Sequence, residues 1–172
     1  MGPYKGVPNM IKAFQELRAE KHNVRLLIAG TSHPNFPNFL DEFAKKKIPF
    51  IDFLGYIPED EVERIFRMSD VVVIPYSTTT GTSGVFHLAC GYGKPIVASD
   101  LPEIRELVED GASAILVPPN NIPALKDAIL KVIFDESLAT RMREQNALFA
   151  RNESWSVVAQ EYEEAYLELM NC

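Results

Sequence analysis

Two hydrophobic periodicities alternate along the chain. Apolar residues three or four positions apart predict eight helices, at 8–20, 39–44, 58–66, 83–92, 104–109, 124–134, 136–150 and 155–169. Short apolar runs lie between the first six of these helices, and they predict five strands, at 24–29, 50–54, 70–74, 95–98 and 114–117. Strands that alternate with helices are typical of βαβ units, so the predicted fold class is α/β, with a parallel sheet covered on both faces.

This order of elements predicts a Rossmann-like, doubly wound sheet in a single domain that spans residues 1–172 and includes a helical C-terminal segment. The β-branched run at 71–74 favours a strand that is buried on both faces. A sheet of this kind normally begins with a strand, whereas this chain begins with a loop and a helix. We therefore expect a strand to be lacking before Lys5, in the middle of the sheet between 24–29 and 70–74.

Three arrangements would satisfy the backbone groups on either side of that gap. Residues upstream of Met1 could supply the strand, another chain could insert one, or the two flanking strands could pair directly. The motif Pro3-Tyr4-Lys5-Gly6 has the character of mid-protein sequence, which favours the first arrangement.

Composition and charge narrow the classes of function. The chain has 17 Lys and Arg against 24 Asp and Glu, for a net charge of −7, which argues against broad nucleic-acid binding. The longest apolar run, 71–74, is far shorter than a membrane span, and the N-terminus does not resemble a signal peptide. Neither the two cysteines nor the three histidines are spaced as metal ligands, so we predict no metal site and a reducing, cytoplasmic location.

A ligand is expected beyond the carboxyl ends of the strands, where the loops 31–37, 55–58, 75–83 and 99–102 would meet. The loop 75–83 leads from a strand into a helix that opens with Ser83-Gly84, and free amides at a helix start suit a phosphate. The alternative is a solvated, Thr-rich loop with Ser83 as a helix cap. Lys5 lies near the start of the first helix, where a cation is unfavourable unless it binds an anion such as a diphosphate. The alternative for Lys5 is a solvated terminal lysine.

Other polar residues give weaker signals. His33 lies in a strand-end loop and could reach a ligand, although a surface position is the simpler interpretation; His87 could face the site or the core, and His22 is assigned to the surface. Cys90 is interpreted as a small core residue and not as a nucleophile, because its neighbours are apolar. Glu103 and Glu106 follow a strand end and could bind a sugar or a ribose, while Glu106 could equally be a solvated helix residue.

The ordered set of short motifs resembles the C-terminal, donor-binding domain of group 1 glycosyltransferases, which have the GT-B fold. Each motif is weak alone, and the resemblance rests on their order through nearly the whole chain. The matching segments are Lys5-Gly6, Leu27-Ile28-Ala29-Gly30, Phe53-Leu54-Gly55-Tyr56, Ser69-Asp70-Val71-Val72-Val73-Ile74-Pro75-Tyr76, Gly93-Lys94-Pro95, Pro102-Glu103, Val117-Pro118-Pro119 and Trp155-Ser156.

The resemblance implies transfer of a sugar from a nucleotide-diphosphate donor to an acceptor in carbohydrate biosynthesis, usually with retention of anomeric configuration. Family members place the active site in a cleft between two Rossmann-like domains, of which this chain matches the second. A sugar, lipid or protein acceptor would be bound by the other half, which would also make any membrane contact. The nucleotide sugar is a substrate, and no cofactor is implied.

The resemblance also assigns residues to the donor. Lys5 matches the lysine that contacts the diphosphate, while Gly55 and Tyr56 lie in the loop beside the base. Glu106 is placed on the ribose side because it follows a strand end, and not by the resemblance. The helix start at Ser83, Gly84 and Val85 matches the amides that face the distal phosphate and the sugar. No catalytic residue is assigned.

One departure from the family pattern concerns two glutamates eight residues apart, which fall here on Thr80 and Leu88. The amides and hydroxyls of Gly81, Thr82 and Ser83 would have to replace these carboxylates. Two alternatives to a transferase therefore stay open: a non-catalytic nucleotide-sugar-binding relic or scaffolding module, and a sugar-phosphate-cleaving or epimerising enzyme of the same architecture.

Overall fold

A computed structural model describes residues 1–79, 81 and 83–170, with the exception of the side chains of Glu161 and Glu168. Thr80 and Thr82 lie outside the described residues. A short 3-10 turn, Pro3–Lys5, precedes the first helix. The helices are α1 (Val7–Ala19), α2 (Phe39–Ala44), α3 (Glu59–Arg67), α4 (Gly84–Gly91), α5 (Pro102–Glu109), α6 (Ile122–Phe134), α7 (Glu136–Asn152) and α8 (Trp155–Met170). The strands are β1 (Leu26–Ala29), β2 (Ile51–Gly55), β3 (Val72–Ile74), β4 (Ile96–Ser99) and β5 (Ile115–Val117).

The five predicted strands are present and run parallel, but they form two sheets instead of one. β1 pairs with β2, and β4 lies between β3 and β5. No ladder joins β1 to β3 within the described part of the chain, so direct pairing of the flanking strands is not the arrangement adopted. As the edge of its sheet, β3 leaves Val72 and Val73 only partly buried, and the expectation of burial on both faces is wrong for them. The strand that is buried on both faces is instead the central strand β4, whose four residues are all buried.

The core has two faces, and β4 contributes to both. Val97 packs with Phe14 of α1 and Ile129 of α6, whereas Ile96 and Ala98 belong to the cluster that holds residues of α4, α5 and α7. This alternation follows from the two-residue repeat of a strand, which turns successive side chains to opposite faces. The predicted cover of helices on both faces is therefore confirmed.

Lys94, in the Gly93-Lys94 motif, connects the end of α3, the helix α7 and the segment before β5 at the amino ends of the strands. Lys94 Nζ donates to the carbonyls of Ser69, at 2.9 Å, and Arg67, at 3.2 Å. The buried Asn146 of α7 donates to the Lys94 carbonyl at 2.8 Å and accepts from the Ser113 amide at 2.7 Å. These bonds satisfy buried polar groups on the edge of the sheet that is opposite the expected ligand edge, so this motif is part of the scaffold.

The C-terminal helix α8 follows the predicted helical segment and is largely exposed. Its large apolar side chains, among them Trp155 at 89% exposure, are not covered by the rest of the described chain. None of the helices in the described ranges is both long and apolar enough to cross a membrane.

Candidate functional site

The N-terminal turn is fixed to the segment that follows β3, at the carboxyl edge of the sheet. Gly6 has a φ of 69°, and a Cβ added to it would lie 1.6 Å from the Pro75 carbonyl oxygen. The Ser77 amide donates to the Tyr4 carbonyl at 2.9 Å, and the Ser77 hydroxyl donates to the same oxygen at 3.3 Å. Only a glycine at position 6 permits this close approach to the Pro75 carbonyl in a left-handed backbone conformation. Packing therefore sets the position of Lys5, which lies between Tyr4 and Gly6.

The Lys5 side chain lies against an aromatic ring. Its Nζ is 3.8 Å from the centroid of the Tyr76 ring, and it is 5.7 Å from that of Tyr4. Its ammonium group makes no ion pair with any carboxylate that the structure describes. An ammonium group held in this way can donate hydrogen bonds to an anion.

The start of α4 is the second predicted element of the site. Ser83 is the N-cap residue of α4, as in the alternative interpretation of this loop, but its side chain makes no capping hydrogen bond. The Ser83 hydroxyl instead lies 3.3 Å from the Tyr76 hydroxyl, in a buried position. The amides of Gly84 and Val85, at the first two helical positions, have no acceptor within the described ranges. A positive helix end with free donors suits an anion.

The two glycines at this helix start have open space where a side chain would begin. A Cβ added to Gly81 or to Gly84 would meet nothing within 4 Å, although Gly81 has a φ of 76° and so favours glycine on backbone grounds. Val85 and Leu88 are both exposed on the same helix, with Leu88 at 44%. The protein around Gly84 thus gives no packing reason for a residue without a side chain.

Tyr76 connects the two predicted elements, and sequence reasoning did not single it out. The residue is only 6% exposed and belongs to the cluster that contains Phe86 and Leu101. Its contacts with Lys5 and Ser83 bring together residues that are far apart in the chain. A tyrosine just after a run of β-branched residues has the local signature of a core residue, so only the long-range contacts show this second role.

The loop between β3 and α4 is also tied to α5. Thr79 Oγ1 donates to Glu103 Oε2 at 2.5 Å. At the same strand end, Arg105 donates through Nη2 to Asp100 Oδ1 at 2.8 Å. Glu106 is exposed one turn further along α5, and its assignment to the ribose side stays a prediction.

Gly55 and Tyr56, predicted to lie beside the base, are at the carboxyl end of β2. The Gly55 carbonyl accepts from the Gly30 amide at 2.7 Å, which holds the ends of β1 and β2 together. The Tyr56 side chain is 75% exposed. His33 lies in the loop after β1, where the centroid of its ring is 6.4 Å from that of Tyr4. The structure therefore places these residues on the carboxyl edge of the β1–β2 sheet, and their contacts with a base stay a prediction.

The other candidate residues lie away from this edge. The His87 ring stacks on the ring of Phe149 of α7, with 6.1 Å between the two centroids. His87 therefore faces the core, which was one of the two alternatives. His22 is partly buried beside Glu20 and Phe134, so the surface assignment holds only in part. Cys90 is fully buried, and burial raises the pKa of its thiol to about 12, which confirms a core residue and excludes a reactive thiolate near neutral pH. In the described ranges, no three His, Cys, Asp or Glu side chains are grouped to hold a metal ion.

Comparison with solved structures identifies the fold. The chain superposes on HepE of Anabaena, in a crystal structure that contains UDP-glucose, with a TM-score of 0.81 at 20% identity. That match covers 98% of this chain and 46% of HepE. The sucrose-phosphate synthase of Thermosynechococcus elongatus matches with a TM-score of 0.79 at 20% identity, over 99% of this chain and 43% of the synthase. The Rossmann-like domain of the GT-B type is therefore confirmed.

Sequence comparison identifies the family. The model for "Glycosyl transferases group 1" matches residues 1–135. An uncharacterized glycosyltransferase of Methanocaldococcus jannaschii is 30% identical over 97% of this chain and 46% of its own length. The phosphatidyl-myo-inositol mannosyltransferase of Mycobacterium leprae is 29% identical over 95% of this chain and 43% of its own length. This chain spans slightly less than half the length of these relatives, and it belongs to the group 1 glycosyltransferases.

Proposed function

We propose that this chain forms the donor-binding half of a retaining glycosyltransferase, which takes a sugar from a nucleoside-diphosphate donor and delivers it to an acceptor held by another domain. The observation that carries the proposal is that Lys5 and the residue before α4 both contact Tyr76 at one edge of the sheet. The Gly84 and Val85 amides that follow have no acceptor in the described ranges. Both elements favour an anion, and neither has an anionic protein partner among the described residues. The HepE crystal structures that contain UDP and UDP-glucose support uracil nucleotides as the first donors to test.

In this proposal the diphosphate lies between the Lys5 ammonium and the start of α4. When the bond between the sugar and the diphosphate breaks, negative charge accumulates on the departing phosphate oxygen. A fixed cation and fixed amide donors stabilise that charge more than they stabilise the bound donor, which lowers the barrier. These groups act by electrostatics and positioning, and no side chain of this chain is assigned a covalent or proton-transfer role.

The sugar and the base would bind on either side of the diphosphate. Gly81, Thr82 and Ser83 would contact the sugar in place of the two family glutamates. Leu88, at one glutamate position, is an exposed apolar residue on α4, and Thr80, at the other, lies outside the described residues. Gly55, Tyr56 and Glu106 would serve the base and ribose. No cofactor is proposed, because the nucleotide sugar supplies the leaving group.

The acceptor is proposed to be a sugar, a lipid or a protein, bound by a domain outside this chain. Transfer requires both reactants in one geometry, so we expect this chain alone to give no sustained transfer. The check is an assay with radiolabelled UDP-glucose, alone and with a panel of sugar and lipid acceptors. Slow hydrolysis of the donor is compatible with the proposal, whereas sustained labelling of an acceptor would contradict it.

Calorimetric titration with a panel of nucleoside diphosphates tests the donor site. A charge-assisted contact contributes roughly 1.5–3 kcal/mol, so Lys5→Ala should weaken binding by about tenfold or more at 1.4 kcal/mol per decade. The matched control is Lys12→Ala, an exposed lysine further along α1 that carries the same charge change. Equal losses in the two variants would remove Lys5 from the site. No binding by any nucleotide of the panel would favour the non-catalytic alternative.

A further inference from the structure

We propose that Tyr76 is a positioning residue for the donor diphosphate, because its ring holds the Lys5 ammonium while its hydroxyl holds Ser83 at the start of α4. This inference rests on the proposed function and adds a residue to the same site. It concerns how two anion-binding elements from distant parts of the chain are kept at a fixed separation.

The ring of Tyr76 provides an immobile surface for Lys5. Tyr76 is almost fully buried and packs in the cluster that contains Phe86 and Leu101, so its ring has little freedom to move. Lys5 Nζ lies 3.8 Å from the ring centroid, well inside the distance at which a cation is attracted to an aromatic face. The ammonium group is thereby placed before any ligand arrives.

The choice of a ring over a carboxylate has a chemical consequence. A carboxylate beside Lys5 would hold the ammonium by neutralising it and would repel an incoming diphosphate. The π face of Tyr76 attracts the cation while leaving the full positive charge and its N–H donors for another acceptor. The geometry therefore combines a fixed position with an unneutralised charge, which is what binding an anion requires.

The hydroxyl of Tyr76 makes the second connection. It lies 3.3 Å from the Ser83 hydroxyl, and both groups are buried. A buried tyrosine hydroxyl needs a polar partner, and Ser83 meets that need instead of capping its own helix. As a result the first amides of α4 stay without a side-chain acceptor, and the residue that precedes them is fixed against the same ring that holds Lys5.

A purely structural role for Tyr76 gives different expectations. If Tyr76 only fills the core, its replacement should lower stability and affect nucleotide binding no more than a similar change elsewhere in the cluster. Phe149→Leu is the matched control, because Phe149 is a buried ring in the same cluster but lies on α7, where it stacks on His87.

The first measurement needs no ligand. Protons on the Lys5 carbon next to Nζ should show an upfield ring-current shift in the NMR spectrum of the whole chain. We expect Tyr76→Phe and Phe149→Leu to keep this shift and Tyr76→Leu to abolish it. Absence of the shift in the wild-type chain, or its survival in Tyr76→Leu, would overturn the inference.

The second measurement is titration with UDP. We expect Tyr76→Leu to weaken UDP binding by about five- to tenfold, Tyr76→Phe by about threefold or less, and Phe149→Leu by less than about twofold. Adding Lys5→Ala to Tyr76→Leu should cost little more than Lys5→Ala alone, because the two side chains act as one unit. Full additivity would contradict that coupling and overturn the inference.

The remaining outcomes separate this inference from the proposed function. If the wild-type chain binds no nucleotide, both are wrong; if it binds UDP and Tyr76→Leu matches Phe149→Leu, only the inference is wrong. Should Tyr76→Leu fail to fold, Tyr76→Phe and Ser83→Ala carry the test. Each variant should lose up to about threefold in UDP affinity, and the double variant should lose no more than the larger of the two single losses. Losses that multiply in the double variant would show that Tyr76 and Ser83 act independently and would overturn the inference.

Discussion

The two sides of the candidate site use glycine for different reasons. Gly6 has a φ of 69° and almost touches the Pro75 carbonyl, so a side chain at this position would collide with the protein itself. Gly84 has an ordinary backbone conformation and is exposed, and a Cβ there would meet nothing within 4 Å. Contacts within the protein therefore require glycine at position 6. At position 84 no contact within the described protein requires it, and only a bound ligand would.

Because the two sides differ in this way, substitutions on one side should change stability and substitutions on the other should change binding. A substitution on the packed Lys5 side should lower the stability of the free chain, and any loss of ligand affinity should follow from that. A substitution on the open α4 side should leave the stability of the free chain nearly unchanged and lower only the ligand affinity. Gly91, the exposed last residue of α4, serves as a common control, because a Cβ there also meets nothing within 4 Å.

Gly6→Ala should give the largest effect. The left-handed conformation costs a non-glycine residue about 1–2 kcal/mol and overpacking adds about 1–3 kcal/mol, so the free energy of unfolding should fall by about 2–5 kcal/mol. Urea unfolding checks this, with Gly91→Ala as the control that leaves stability within about 1 kcal/mol of wild type. If Gly6→Ala changed the free energy of unfolding no more than Gly91→Ala does, the turn would not pack on Pro75.

Gly84→Ala should give a smaller effect and one of opposite character. Alanine is favoured over glycine in helices by about 0.5–1 kcal/mol, so the free chain should be unchanged or slightly stabilised. A methyl group at the helix start should nevertheless weaken UDP binding by about three- to tenfold, because it obstructs the approach of a phosphate to the amides. Calorimetry on Gly84→Ala and Gly91→Ala checks this, and equal affinities for the two variants would show that the ligand does not approach Gly84.

The periodic elements were predictable from sequence because local patterns determine them. The strand at 95–98 and the helix at 124–134 appear within two residues as β4 and α6, since apolar spacing reports directly which residues face the core. Separation of β1 from β3 into different sheets was not a local property. It depends on which strand pairs with which, and an apolar run such as 71–74 is compatible with both a central strand and an edge strand.

The candidate site was predictable only in part for the same reason. Lys5 and Ser83 were identified by their positions at helix starts, and the structure brings both to the Tyr76 side chain. Tyr76 itself was missed, because its role depends on a contact with a residue 71 positions earlier in the chain. The Thr79–Glu103 bond was missed likewise, since nothing in either segment indicates the other.

Glycine amides test most directly the proposal that the carboxyl edge of the sheet binds the donor diphosphate. The chain has nine glycines, so selective labelling with 15N-glycine gives a spectrum of nine signals. Besides Gly2 in the N-terminal turn, five lie at the carboxyl edge of the strands: Gly6, Gly30, Gly55, Gly81 and Gly84. Three lie at the amino edge: Gly91, Gly93 and Gly111.

Titration of this labelled chain with UDP should therefore divide the signals by position. We expect the signals of the Gly6, Gly81 and Gly84 amides to move most and those of the three amino-edge glycines to stay in place. Inorganic phosphate at the same concentration serves as the control and should give weaker shifts on the same residues. Shifts that favour the amino edge, or a spectrum that UDP does not change, would contradict a diphosphate site at the carboxyl edge.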